Sequence, residues 1–141
     1  MPLLHHDLIA ANGAEPTSWL FLLHGIYGAG RNWNAVSRAV VRERPDWGVV
    51  AVDLRGHGAS PALTPPHTLE ACVADLDALA ASMDVRPRGI LGHSFGGKVA
   101  LLYGDEPAHG IEETWVVDST PDAREPAGSA WAMLEVLRDA P

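Results

Sequence analysis

The stretch Gly92-His93-Ser94-Phe95-Gly96-Gly97 constrains this chain more than any other. It follows the short apolar run Gly89-Ile90-Leu91 and leads into Lys98-Val99-Ala100-Leu101-Leu102-Tyr103, with no breaker before Gly104 and Pro107 beyond. A strand that enters Gly-x-Ser-x-Gly and leaves as a helix turns so tightly that only glycine fits two residues before and after the serine. On such a turn the hydroxyl stands at the apex, where a nucleophile belongs. The alternative is a Gly-rich strand-to-helix turn whose serine merely caps the helix. Here strand, turn and helix come in the order the nucleophile reading requires.

The chain has 141 residues, enough for one domain with a core, but short for an α/β enzyme, where single domains run to roughly 200–250 residues. With 47% hydrophobic and 20% charged residues it has the composition of a folded globular protein and not of a disordered one. Ten basic residues against 18 acidic ones give a net charge of −8, with no basic run. This argues against nucleic acid and anionic membrane surfaces as partners. Cys72 is the one cysteine, so there is neither a disulfide framework nor a thiolate metal cluster. The start Met1-Pro2-Leu3-Leu4-His5-His6-Asp7 lacks the basic and long apolar segments of a signal peptide. No stretch approaches the ~18 apolar residues of a membrane span. A cytoplasmic location is the expectation.

Hydrophobic periodicity lays out alternating strands and helices. Leu3 to Ala10 reads as a first strand, closed by the turn signal Asn12-Gly13. His5 and His6 are neighbours, so on a strand they point to opposite faces and cannot chelate one metal; they read as surface and packing residues. Trp19-Leu20-Phe21-Leu22-Leu23 and Trp47 to Leu54 are continuous apolar runs, the pattern of strands buried on both faces. Between them a helix is expected from Asn32 to Arg44, stopped by Pro45. Thr68 is placed to cap a helix whose stripe Leu69, Cys72, Val73, Leu76, Leu79 and Met83 recurs at steps of three and four, with Cys72 as a core residue. Arg88 to Leu91 is the strand feeding the serine turn, and Thr114 to Val117 reads as a buried strand delivering Asp118 at its carboxyl end. Ser129 to Arg138 reads as a further helix, with Trp131, Leu134 and Leu137 on one side. This alternation predicts an α/β fold with a doubly wound, mostly parallel sheet. Without internal repeats or a low-complexity linker, residues 1–141 read as a single domain.

In an open parallel sheet, ligands bind outside the carboxyl ends of the strands. His24-Gly25, Asp53 with Arg55, Ser94 and Asp118 each follow a strand on that side. The run His24-Gly25-Ile26-Tyr27-Gly28-Ala29-Gly30 holds neither Gly-x-Gly-x-x-Gly nor the Lys-Ser/Thr of a phosphate loop, so it is not read as a nucleotide cradle. A serine hydroxyl is a weak nucleophile until a base takes its proton and a carboxylate orients that base. Ser94 has the turn and Asp118 is placed to be the acid. Asp118 has a second reading, as a strand-end carboxylate capping Ser119-Thr120-Pro121. The oxyanion of an acyl-transfer reaction needs two backbone donors. One is the N–H of Phe95 at the helix start, where the dipole helps; the other comes from the loop after His24-Gly25, with Ile26 the first candidate and Tyr27 the second.

Five segments in order now resemble a known family: His24-Gly25-Ile26-Tyr27-Gly28; Arg31-Asn32-Trp33-Asn34; Asp53-Leu54-Arg55-Gly56-His57-Gly58-x-Ser60; Gly92-His93-Ser94-Phe95-Gly96-Gly97-Lys98-Val99-Ala100; and Val116-Val117-Asp118. Together they are similar to the α/β-hydrolase superfamily, and within it to the small acyl-ester hydrolases of the YbfF type and their mitochondrial relatives. The match runs to about residue 121. The resemblance implies the α/β-hydrolase fold, Ser94 as nucleophile, Asp118 as acid, and Ile26 and Phe95 as oxyanion donors. Around them His24, Gly25, Gly92, His93 and Gly96 serve as motif support. It implies no metal and no organic cofactor. A serine at the turn separates the chain from dehalogenase and epoxide hydrolase relatives, which carry an aspartate there.

The chain order of such a triad is serine, acid, histidine, yet the last histidine here is His109. In the family the base follows the final strand, beyond a cap region. The resemblance therefore implies the amino-terminal portion of a longer hydrolase, ending after the start of the cap region and lacking the cap and the carboxyl-terminal strands. His93 adjoins the serine, but the turn should aim it away, and it reads as packed beside the turn. His24 and His57 read as structural, His67 and His109 as loop residues, and Asp105-Glu106 as a solvated helix end. Two functions compete. One is a serine esterase or thioesterase working through an acyl-enzyme on a small-molecule ester or thioester, with Tyr27, Phe95 and the Trp131 helix on the acyl side. The other is a non-catalytic hydrolase-like binding protein, or half of a split hydrolase completed by another chain. Either way the strand before Asp118 is left as a sheet edge, which predicts self-association.

Overall fold

The computed structural model describes residues 2–122, 125 and 127–138. Strands β1 (His6–Ile9), β2 (Ser18–Leu23), β3 (Trp47–Val52), β4 (Pro87–His93) and β5 (Glu113–Val117) form one sheet in the order β1-β3-β2-β4-β5. The last four are parallel, and β1 pairs antiparallel with β3, His6 lying opposite Val52. Leu22 of β2 sits between Ala51 and Leu91, and Leu91 in turn lies opposite Trp115.

Alternation along the strands sorts the core into two layers. Phe21, Leu23, Val50, Val52 and Ile90 pack with Cys72, Leu76 and Leu79 of α2 (Leu69–Met83) and with Val99, Ala100 and Tyr103 of α3 (Phe95–Asp105). Leu22 and Val49 pack on the other face with Val41 of α1 (Asn34–Glu43). Helices on both faces make the sheet doubly wound, and β2 at its centre is apolar from Trp19 to Leu23 because both of its faces are covered. Thr68 caps α2 by accepting a bond from the Ala71 amide at 3.2 Å. Burial pushes the Cys72 thiol up to about 11, the behaviour of an inert core cysteine.

Several boundaries differ from the sequence expectation for physical reasons. The first strand is only four residues long, because the antiparallel partner β3 pairs with His6 to Ile9 alone. The helix expected from Asn32 opens with a 3-10 turn, Gly30–Trp33, and becomes α-helical at Asn34. Gly104 does not stop α3, since it provides the space in which Thr114 of β5 packs against the helix. The larger correction concerns β5. It is not a buried strand: it lies at the sheet edge, with Trp115 56% and Val117 44% exposed. Thr114 and Val116 meet α3 at Gly104 and Gly97, while Trp115 and Val117 point from the opposite face into solvent. Helix α4 (Gly128–Arg138) leaves Trp131, Met133, Val136 and Leu137 exposed, so its apolar stripe builds no core among the described residues. No described helix is long and apolar enough to cross a membrane.

Candidate active site

The end of β4 turns at Ser94, whose backbone sits at φ 51° and ψ −115°. A non-glycine residue holds that conformation only where its surroundings fix it, and such strain gathers at functional positions. The fixing contacts are visible. A Cβ on Gly96 would lie 2.5 Å from the His24 carbonyl oxygen and 2.7 Å from that of Leu23, and one on Gly92 would fall on the Gly96 carbonyl. The turn is therefore pressed against the end of β2 with no room for a side chain on either flank. The Ser94 amide donates to the Val117 carbonyl at 2.9 Å, tying the turn to β5 as well. Its side chain makes no capping bond at the start of α3, so the helix-cap alternative does not describe it. It opens instead onto a groove of about 570 Å³ lined by Ile26, Phe95, Lys98, Asp118, Ser119 and Thr120.

The second wall comes from the loop after β2. The Gly28 amide closes a turn on the Gly25 carbonyl at 3.0 Å, and Tyr27 within it has φ 64°. His24 braces this turn from below. The Leu54 amide donates to His24 Nε2 at 3.0 Å, which assigns the ring proton to Nδ1, and Nδ1 donates to the Gly25 carbonyl at 2.7 Å. Burial pushes the His24 imidazole below its ordinary pKa, as this neutral tautomer requires. Both ring nitrogens are thus engaged in scaffolding. Neither the Ile26 nor the Phe95 amide is paired with a backbone acceptor among the described residues. His57 is held by its Nδ1 on the Arg55 carbonyl at 2.9 Å, and its ring lies against those of His24 and Phe95.

The segment from Asp53 to Ser60 is a brace for this wall. Asp53 accepts from the amides of Gly30 at 2.6 Å and Ala59 at 2.8 Å and from His5 Nδ1 at 2.9 Å. Burial pushes its carboxyl up, but those three donors outweigh the burial and hold it below the usual range. Arg55 makes a two-pronged pair with Asp75 of α2 at 2.7 and 2.8 Å and donates to the Pro66 carbonyl at 2.6 Å, fastening the loop to the helix. His5, expected as a surface or packing residue, is thus a working partner of Asp53. Its role was not legible because the antiparallel pairing that brings it there carries no local signal.

Asp118 follows β5 at φ 50°, with its side chain 88% exposed. The carboxylate makes no capping bond to the turn after it among the described residues; its nearest partner is His93 Nε2 at 3.9 Å. His93 packs over Gly25, where a Cβ would meet its Nδ1 at 2.8 Å, yet its side chain remains 45% exposed and reaches toward Asp118. It is more than the packed residue expected. His109, expected as a loop residue, bridges Asp77 at 2.9 Å and the Tyr103 carbonyl at 2.7 Å at the opposite end of the sheet. Glu106 is no idle helix end either, since it caps a short turn through the Ala108 amide at 3.1 Å. Among the described residues no group of three His, Cys, Asp or Glu side chains is arranged to hold a metal ion. Of the four non-glycine residues with positive φ among the described residues, Ser94 and Asp118 line this groove, and Tyr27 follows Ile26 of its wall.

A parallel sheet with a strained serine turn between strand and helix defines a hydrolase-type scaffold, and comparison with known proteins agrees. The chain belongs to the alpha/beta hydrolase family, whose model matches residues 20–141. The sn-1-specific diacylglycerol lipase ABHD11 of Mus musculus is 31% identical over 135 residues, covering 96% of this chain and 43% of that protein. Lipase LipV of Mycobacterium tuberculosis is 38% identical over 89 residues, 63% of this chain and 32% of its own. Among solved structures, a marine microorganism esterase superposes with a TM-score of 0.82 at 23% identity, over 100% of this chain and 52% of its own length. A hydrolase from Pseudomonas aeruginosa gives 0.79 at 26% identity, over 97% and 49%. This chain spans about half, or less, of the length of each of them.

Proposed function

We propose that the chain carries the nucleophile half of a serine hydrolase of the carboxylesterase or thioesterase type, acting on small-molecule esters or thioesters. The observation that carries this reading is the strained, uncapped Ser94 opening onto one groove with Ile26, Phe95 and Asp118. In the reaction Ser94 Oγ attacks the acyl carbon while a base takes the hydroxyl proton. The oxygen of the tetrahedral adduct accepts from the Ile26 and Phe95 amides, with the α3 dipole adding to the field. Collapse expels the alcohol or thiol, which leaves with the proton from the base. Water, deprotonated by the same base, then splits the acyl-enzyme to release the acid and restore Ser94. Asp118 orients the base and stabilises its charged form. These steps draw on side chains and backbone amides alone.

The base itself is the open element. No histidine follows Asp118 in the sequence, and His24 has both ring nitrogens occupied. The reading assigns the nucleophile, the acid and the two oxyanion donors, and gives no histidine the role of base. Names of the relatives, a lipase in two cases, favour an ester as substrate. Residues 1–141 act as one α/β unit in the cytoplasm, and the exposed edge of β5 supports pairing with a further strand or a second copy.

With no base assigned beside Ser94, a second reading is a hydrolase-like binding protein or one half of a split hydrolase. A fluorophosphonate probe applied to the intact gene product separates the two. The hydrolase reading expects covalent labelling of Ser94, absent in Ser94→Ala, and a loss of ester turnover of about 10³-fold or more in that variant. An unlabelled Ser94 in the folded wild-type protein sinks the reading.

A further inference from the structure

Lys98 is a residue that no reading of the motif uses. It stands four residues after Ser94 on α3, hence on the same helix face, and its side chain leans back over the turn that carries the serine. Its ammonium donates to two backbone carbonyls, Thr120 at 2.8 Å and Asp122 at 2.9 Å. Both belong to the segment that leaves β5 through Asp118.

That segment has few other holds. Asp118 is 88% exposed and among the described residues has no closer side-chain partner than His93 at 3.9 Å, so the backbone sets its direction there. The backbone there is at φ 50°, a conformation a non-glycine residue keeps only under external constraint. Before Asp118 the constraint is the Ser94 amide on the Val117 carbonyl, and just after it Ser119 packs on Gly97. Beyond that, the two bonds from Lys98 close the segment onto α3. Charge-assisted bonds to two carbonyls two residues apart fix a curve of chain, which one neutral bond would not.

We propose that Lys98 is the positioning residue for the Asp118 carboxylate: it clamps the 119–122 segment to the helix that Ser94 begins, holding acid and nucleophile at a set separation. The role rests on the hydrolase reading, but the clamp itself does not. Amide hydrogen exchange in the intact gene product tests the clamp without any activity. In Lys98→Met, exchange of the Ser94 amide, which donates to the Val117 carbonyl at the root of this segment, is expected to speed up about tenfold or more while β2 and β4 amides keep their protection, and Lys98→Arg is expected to restore it. Unchanged exchange in Lys98→Met overturns the proposal.

Turnover of p-nitrophenyl acetate tests the positioning. Lys98→Met is expected to lower kcat about 10- to 100-fold with KM within about twofold, the scale of a misplaced catalytic group. In an Asp118→Asn background the same substitution is expected to cost nothing further, because its effect passes through Asp118. Wild-type turnover in Lys98→Met beside an impaired Asp118→Asn overturns the positioning role and leaves the hydrolase reading standing. A wild-type protein as inert as Ser94→Ala overturns the hydrolase reading and with it the role, while the exchange result still decides the clamp.

Discussion

The two halves of the candidate site are built in opposite ways. Around Ser94 the backbone is enclosed: Gly92 and Gly96 have no space for a methyl group, His24 is buried with both ring nitrogens bonded, and Asp53 collects three donors from three segments. Around Asp118 the backbone leaves an edge strand and the side chain is exposed; among the described residues the following loop is held by Ser119 packed on Gly97 and by the Lys98 ammonium. The first half stores strain because neighbours on every side oppose relaxation. The second half has a similar φ but far fewer neighbours. Geometry at Ser94 is thus set by packing, and geometry at Asp118 by a few polar ties. The two halves should fail by different routes.

The sharpest way to test that contrast is to add one methyl group to each kind of glycine. Gly96→Ala should be the most damaging single change in the turn. Its φ does not demand glycine, so the whole cost comes from the new Cβ lying 2.5 Å from the His24 carbonyl. A destabilisation of about 3 kcal/mol or more is expected, or failure to fold. Gly56→Ala is the control: it has φ +73° but open space around the new Cβ, and should cost only about 1 kcal/mol of backbone strain. Urea unfolding of the two variants compares them directly. Equal costs would mean that the Ser94 turn is held by backbone preference and not by packing, and the contrast between the halves would collapse.

The same contrast explains what could be read in the sequence. Strand-turn-helix order and the glycines flanking Ser94 are local signals, so the tight turn at Ser94 was legible down to the residue. The continuous apolar run of β2 announced a strand covered on both faces, and its burial agrees. The edge position of β5, expected from the resemblance, leaves no such mark in the strand's own residues. Thr114 to Val117 has the same apolar character as β2, yet Trp115 and Val117 are exposed because nothing described packs on their side. Asp118 was legible from its place after that strand, and the way it is held was not. His5 on Asp53 and Lys98 on Thr120 and Asp122 join segments 48 and 22–24 residues apart, and no spacing rule reports such pairs.

A second test uses pH and is smaller in effect. The folded His24 ring binds a proton less tightly than the unfolded one, whose value lies near 6.5, because folding buries it. Its contribution to stability is therefore complete above about pH 6.5 and is lost as the pH falls from there toward the lowered folded value. The Asp53 carboxyl, held low, contributes in the same direction but only below about pH 4. The urea midpoint should thus fall between pH 7.5 and 5.5 in the wild type and fall less in His24→Gln, whose amide can still accept from Leu54. Equal slopes in the two proteins would show that the enclosure around the Ser94 turn is looser than its hydrogen bonds imply.

The smallest effect belongs to the edge. Trp115 is 56% exposed and its Nε1 donates to Glu113, two residues away on the same face. Replacing it with threonine keeps a good strand former and removes an indole that touches little of the core. Stability should change by no more than about 0.5 kcal/mol, the scale of an ordinary surface substitution. What should change is association: with the indole gone, the edge of β5 offers less apolar surface to another strand. Sedimentation across a range of concentrations should show less self-association for Trp115→Thr than for the wild type, with urea midpoints nearly equal. If the midpoint instead drops by an amount like that expected for Gly96→Ala, the open face of β5 is packed after all. The two halves of the site would then be enclosed alike, and packing as well as polar ties would set the geometry at Asp118.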